Sequence, residues 1–302
     1  MKAFLAQCKG ARIPVKFDLP LCEYSTFRIG GKADLALFPT TKEQLCLQLA
    51  MLGQSGLRYC VIGNGSNVLF SDAGYRGVVV FTTEMNGYRF DRDTLYAQSG
   101  ASLARVCNDA SKQGYEGFAF GCGIPGTVGG GVYMNAGAYG GQISDVLLST
   151  EYYDCAKNQI VKIDHAAHEF DYRHSIFEDH PEYVILSSTF ALKAGDADEI
   201  MQKVREQGAS RREKQPLNYP SVGSTFKRPT GYFAGKLIED AGLKGTRVGG
   251  AVVSQKHAGF VVNEGGATAA DVLALVETVK ARVYEQYGVL LECEFKYVGD
   301  GD

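Results

Sequence analysis

The sequence predicts an α+β protein, and three observations predict it. Some stretches place apolar residues with helical period and others alternate strictly, but strand and helix do not succeed each other regularly enough for a doubly wound parallel sheet. Glycine reaches 37 of 302 residues, about 12% against roughly 7% on average, and it clusters in loops instead of repeating. The length suits two domains, each with its own core.

The elements follow in order. Thr41 and Gln44 form a capping box for a helix from Lys42 to Gln54, with Leu45, Leu49 and Leu52 on one face. Strands are expected at 58–62 and 77–81, and one or two more at 88–97. A helix over 102–113 turns Leu103, Val106, Cys107 and Ala110 inward. The glycine-rich stretch 121–141 follows, then strands near 146–153, 159–163 and 183–192. A charged helix over 197–214 ends in Arg211, Arg212 and Lys214. Pro216 and Pro220 punctuate the chain behind it and put a domain boundary near 195–215. The expected division is 1–200, with two subdomains split near 75–85, and 201–302. A short helix over 231–241 closes at Gly242. Thr268 caps a long helix in which Val272, Leu275, Val276, Val279 and Val283 keep a 3.6-residue period, and Gly288 ends it. A final strand is expected over 289–298, with Glu292, Glu294 and Lys296 on its polar face.

Bulk properties narrow the function. A net charge of −3 gives no reason to expect nucleic acid or an anionic membrane as partner. Eight cysteines form no CxxC and no zinc-finger spacing, so they read as reduced thiols of a cytoplasmic protein, with no metal centre. No window approaches the length of a membrane span, and the N-terminus lacks the apolar run of a signal peptide.

Two glycine loops carry the first functional signals. Gly63, Asn64, Gly65, Ser66 and Asn67 directly follow a strand; such a loop either cradles a diphosphate with backbone N–H groups or simply turns a hairpin. The run 121–126 matches GxGxxG, but Pro125 lies inside it and Gly129, Gly130 and Gly131 follow. A dinucleotide fingerprint must open a helix, so the expectation here is extended backbone along a flat ligand, or close backbone packing. Ser224 lacks the GxSxG elbow. On its own it reads as turn chemistry. Glu294 reads as the solvated side of a strand unless that face looks into a cleft. Arg173 is either a surface ion-pair partner or a fixed cation near an anion.

Taken together and in order, these segments resemble the UDP-N-acetylenolpyruvoylglucosamine reductase family across 26–299. The motifs are TFRIGGKAD (26–34), IGNGSNVL (62–69), GIPGTVGG (123–130), MNAGAYG (134–140), Tyr172-Arg173, GSTFK (223–227), GKLIEDAGLKG (235–245), KHA (256–258) and ECE (292–294). The resemblance implies an FAD-binding domain of the vanillyl-alcohol-oxidase type followed by an α+β substrate-binding domain. It implies non-covalent FAD, NADPH as co-substrate and a small UDP-sugar as substrate, with no obligatory protein partner. It implies FAD contacts at the 63–67 loop and at Gly123, Ile124, Pro125, Gly126, Val128, Gly129, Gly130, Asn135 and Gly137. It also implies catalytic roles for Ser224, Arg173 and Glu294, and substrate contacts at Lys214, Lys227 and His257. Two residues depart from the family pattern: Arg228 stands where some members have Asn, and Gly131 where Ala is commoner. The short interval from Arg173 to Ser224 is similar to that of the shorter, type II class.

Overall fold

The computed structural model describes residues 1–299. The chain forms two compact units, each assembled from separate segments. The first comprises Met1–Phe17, Leu35–Asn64 and Gly77–Ser210; the second comprises Asp18–Asp34, Gly65–Arg76 and Arg211–Asp302. This division is discontinuous, whereas the sequence suggests one cut near residue 200.

The first unit is built on an antiparallel sheet in the order Gln159–Asp164, Leu147–Asp154, Tyr183–Ala191, Thr94–Gln98, Tyr88–Asp91. One core packs Leu95 and Ala97 of this sheet against Leu103, Val106 and Ala110 of the helix Leu103–Lys112, joined by Phe118, Phe120, Val128 and Val132. A second core joins Val184 and Leu186 to Leu45, Leu49 and Leu52 of the helix Lys42–Ser55. Phe4 and Cys8 of a helix Lys2–Gly10 complete it; that helix has no strong apolar period and was not expected from the sequence. Tyr59–Ile62 runs parallel to Tyr75–Phe81, and the 63–67 loop leaves its end.

In the second unit the helix Ala269–Tyr287 buries Val272, Leu275, Val276, Val279 and Val283. That face packs in one core with Ala251, Val253 and Val261 of a three-stranded antiparallel sheet and with Leu237 and Ile238 of the helix Ala234–Asp240. Its N-terminus is capped twice. Thr268 and Asp271 form a capping box, and the Asp72 carboxylate accepts the N–H groups of Ala269 and Ala270 at 2.8 and 3.0 Å. These bonds satisfy donors that a helix start leaves open, and they put negative charge at the positive end of its dipole.

Two local expectations are corrected. The long terminal strand shrinks to Lys296–Val298, parallel to Val68–Phe70. Residues 289–295 keep Leu291 and Phe295 buried, but their backbone meets the 225–227 segment only through isolated bonds and one bridge, Phe226 with Cys293. Alternation reports which face is buried; it does not supply a partner strand. The stretch expected to be extended beyond GxGxxG contains a six-residue helix, Val128–Tyr133. Thr127 caps it by accepting the Gly130 N–H at 3.2 Å, and tertiary bonds to its first turn offset the low helix propensity of three glycines. Among the described residues no helix is long and apolar enough to cross a membrane.

Candidate active site

In the first unit the two glycine loops lie against each other. The Asn64 amide donates to the Pro125 carbonyl at 2.6 Å, and a Cβ on Gly63 would run into the Thr127 hydroxyl. Between and beside them opens a cleft of about 270 Å³. Asn64, Pro125, Gly126 and Thr127 line it together with Thr83, Asn86, Tyr88, Gly100, Ser102 and Arg105. The lining holds hydroxyls, amides, exposed backbone and one guanidinium, and no carboxylate. That donor set fits an uncharged or anionic ligand rich in oxygen, such as part of an FAD with its diphosphate and ribityl hydroxyls.

The helix Val128–Tyr133 does not serve as a phosphate dipole. The N–H groups of Val128 and Gly129 donate to the carbonyls of Ala101 and Ser99, both at 2.8 Å, and that of Gly130 goes to Thr127. The first-turn donors on which a dinucleotide fingerprint relies are therefore spent on protein. Gly129 is required for this approach, since a Cβ there would lie 2.8 Å from that of Ser99.

The reach of the cleft to Thr83, Asn86, Tyr88, Gly100, Ser102 and Arg105 is absent from the sequence reading. One signal existed: Gly100 follows a strand and Ser102 caps the next helix, accepting the Arg105 N–H, the strand–glycine–cap arrangement of a ligand-facing loop. Cys122 sits beside the glycine loop, but burial pushes its thiol pKa up, and its Sγ lies 3.7 Å from the Ser111 hydroxyl. A thiol held protonated is a poor nucleophile toward a flavin.

Arg173 occupies a tight turn in the first unit. Asp171 and His174 exchange both backbone hydrogen bonds at 3.2 Å, leaving Tyr172 and Arg173 at the tip. Arg173 has φ +55°, an uncommon conformation for a residue with a long side chain. Its guanidinium donates to the Gly137 carbonyl at 2.8 Å and lies 5.1 Å from the centre of the Tyr172 ring. Gly137 opens a hairpin in which Gly137–Ala138 pairs with Gly141–Gln142. Asn135 is 1% exposed and lies just before that hairpin.

In the second unit the structure brings Ser224, Lys227, Glu294 and His257 onto neighbouring backbones. Thr225 is the hub: its N–H donates to the Gly259 carbonyl at 2.8 Å, and its carbonyl accepts the Glu294 N–H at 2.9 Å. The Lys227 N–H donates to the Glu292 carbonyl at 2.8 Å. The loop 223–227 is thereby held between 257–261 and 292–294, with Ser224 exposed and Glu294 half-buried. His257 accepts the Gly259 N–H on Nδ1 at 3.1 Å, which puts its ring proton on Nε2. Burial lowers its pKa, keeping the ring neutral and an Nε2–H donor. Lys214 stands at the exposed end of the helix Ala197–Lys214. The Lys256 ammonium, which donates to the Arg212 carbonyl at 2.7 Å, ties that helix end to the KHA segment. Gly65, Ser66 and Asn67 also belong to this unit. The Asn67 amide donates to the Glu294 carbonyl at 3.1 Å, so it fixes the main chain at Glu294. Among the described residues no cluster of His, Cys, Asp or Glu could hold a metal ion.

A family model described as an FAD binding domain matches residues 33–164. The α+β fold and the glycine-lined cleft are thus those of a flavin-binding protein. A second model, the C-terminal domain of UDP-N-acetylenolpyruvoylglucosamine reductase, matches residues 215–298. The chain is 46% identical over 294 residues to a UDP-N-acetylenolpyruvoylglucosamine reductase from Caldicellulosiruptor bescii, covering 97% of this chain and 93% of the relative. A relative of the same name from Clostridioides difficile is 45% identical, with 95% and 94% covered. The crystal structure of that reductase from Thermus caldophilus superposes with a TM-score of 0.79 at 32% identity, covering 95% of this chain and 98% of the other. The chain belongs to the UDP-N-acetylenolpyruvoylglucosamine reductase family.

Proposed function

We propose that this chain reduces the enolpyruvyl group of UDP-N-acetylglucosamine enolpyruvate to UDP-N-acetylmuramate, a precursor of peptidoglycan, with NADPH as reductant and FAD held non-covalently. The balance is one alkene, one NADPH and one proton in, and one lactyl ether and one NADP⁺ out. FAD, when bound, supplies the two-electron relay between NADPH and C3 of the alkene.

The chain's own residues do the rest. Reduction at C3 pushes negative charge through C2 into the substrate carboxylate. Arg173, a permanent cation held by Gly137, stabilises that charge as a fixed electrostatic partner. Ser224 delivers the proton to C2. A serine hydroxyl is a weak acid, so it needs a charged setting, and Glu294 and Lys227 share its backbone frame. His257 offers a neutral Nε2–H, and Lys214 and Lys227 offer ammonium groups for the UDP diphosphate and the carboxylate. The loops at 63–67 and 123–130 hold the flavin, with Ser102 and Arg105 added by the cleft.

The observation that carries this reading is the Thr225 hub, which places a hydroxyl and a carboxylate on adjacent backbones in a chain of this family. The absence of disulfides among the eight cysteines supports a cytoplasmic setting, where NADPH is kept reduced. The net charge of −3 gives no pull toward nucleic acid or an anionic membrane.

Anaerobic stopped-flow absorbance tests it. NADPH should bleach the flavin, the enolpyruvyl UDP-sugar should restore its colour, and mass spectrometry should find a product two hydrogens heavier. Bleaching that oxygen reverses but the UDP-sugar does not would overturn the assignment.

A further inference from the structure

We infer that Asn135 is a positioning residue that aims Arg173, not a contact of the flavin. The inference rests on the role proposed above for Arg173, and it changes what the family resemblance implies for Asn135.

The side chain of Asn135 is engaged at both ends by protein. Its Oδ1 accepts the Ser144 N–H at 3.0 Å, and its Nδ2 donates to the Asp171 carbonyl at 3.1 Å. It is 1% exposed. An amide so enclosed offers a ligand little surface, but it joins the 135–144 segment to the turn that carries Arg173.

That turn carries the guanidinium, and the 135–144 segment accepts its hydrogen bond. The Asp171 carbonyl is also the acceptor for His174 N–H at the base of the Tyr172–Arg173 turn. At the tip, Arg173 donates to Gly137, two residues beyond Asn135. On the far side, the Ser175 hydroxyl donates to the Tyr133 carbonyl at 2.6 Å. The turn is thus tied to 133–144 before, at and after the arginine. Arg173 itself is held at positive φ, a strained state that persists only where surroundings impose it. The Asn135 amide bond to Asp171 is the tie nearest the turn's base, so it imposes that backbone state and fixes the guanidinium's direction.

Residue 135 must meet two demands at once. Its φ is +44°, a region that Gly and Asn enter most readily. It must also present a donor and an acceptor together. Gly meets only the first demand. Asp meets the first and keeps the acceptor, but it sets a carboxylate oxygen against the Asp171 carbonyl.

The test uses holoenzyme carrying Asn135→Gly, Asn135→Asp, Arg173→Ala or Arg173→Ala with Asn135→Gly. The affinity of apoprotein for FAD, read by flavin fluorescence, should stay within about 3-fold for both Asn135 variants, as should flavin bleaching by NADPH. Reoxidation by the enolpyruvyl UDP-sugar should slow roughly 10- to 100-fold, the scale of loss when a catalytic group is misplaced by about 1 Å. The double variant should be no slower than Arg173→Ala alone, because residues acting through one another are not additive. Additive losses, a lost FAD affinity, or equal slowing of both half-reactions would overturn the inference. Wild-type reoxidation in Arg173→Ala would instead remove the role of Arg173, and the inference with it. If one Asn135 variant fails to fold, the other gives the same readings.

Discussion

The side-chain amide of Asn67 and the backbone carbonyl of Glu294 are hydrogen-bonded at 3.1 Å across 227 residues of sequence. Asn67 also accepts the Lys296 N–H on its own carbonyl at 3.0 Å. One asparagine of a glycine loop therefore brackets the proposed catalytic carboxylate on both sides. Changing Asn67→Ala leaves the Glu294 carbonyl without this donor. The expected loss is about 1 kcal/mol of stability, typical of one internal hydrogen bond, with a larger effect on reoxidation than on flavin reduction. Urea unfolding and the two half-reactions measure both, and an unchanged midpoint with unchanged rates would contradict the bracket.

Ser224→Ala isolates proton delivery. The hydroxyl is exposed on a loop whose backbone is fixed through Thr225, so its removal should not disturb folding. Flavin bleaching by NADPH should persist, while reoxidation by the UDP-sugar slows on the order of 10²–10⁴-fold, as for loss of a general acid. Equal losses in both steps would remove the role assigned to Ser224.

Gly65→Ala probes the loop by backbone alone. Gly65 has φ +58°, and a Cβ there would collide with the Tyr24 carbonyl oxygen. Left-handed backbone costs a residue with a side chain roughly 1–2 kcal/mol, and this collision is with main chain that cannot rotate aside. The variant should bind FAD more weakly and melt earlier. Gly140→Ala is the control: it has φ +81° and nothing within 4 Å of its Cβ site. It should show the conformational cost without the collision, so equal effects at both positions would exclude the steric account.

Much of this fold can be read from the sequence wherever a local cause suffices. The helix Ala269–Tyr287 announces itself through period, Thr268 and Gly288, and the helix Lys42–Ser55 through Thr41 and a Leu45–Leu49–Leu52 face. Even there one detail needed the structure: the Gln44 amide oxygen accepts from Thr40 N–H, one residue earlier than a capping box requires. The helix Val128–Tyr133 could not be read, because its glycines argue against it and its stability comes from Ser99 and Ala101. The same limit governs the site. Ser224, Arg173 and Glu294 could be named from the family resemblance, but the residues that hold them, Thr225, Asn67 and Asn135, act through carbonyls distant in sequence. Their side chains carry no local mark of that task.

His168 supplies a pH prediction. It is fully buried, stacked on Phe170 at 4.9 Å and edge-on to Phe177. Its Nδ1 faces the Asp164 carbonyl at 3.0 Å, which can only accept, so the neutral ring carries its proton there. Nε2 then accepts from the Thr150 hydroxyl at 2.8 Å, and protonating it would put a charge on a buried ring. Burial accordingly holds the His168 pKa below its ordinary value. The unfolded chain, with a histidine pKa of about 6.5, then binds the proton more readily than the folded one, so stability falls as pH drops below that value. His257, also lowered by burial, adds a second contribution of the same sign. Carboxylates held low by their partners, such as Asp271, lose stability only at more acid pH. Urea midpoints should therefore decline between about pH 7 and 5.5, the upper limb set by the unfolded histidine value. His168→Gln, which cannot titrate, should flatten that decline in part, and His168→Gln with His257→Gln should flatten it further. A decline of undiminished slope in the double variant would place the acid sensitivity elsewhere in the chain.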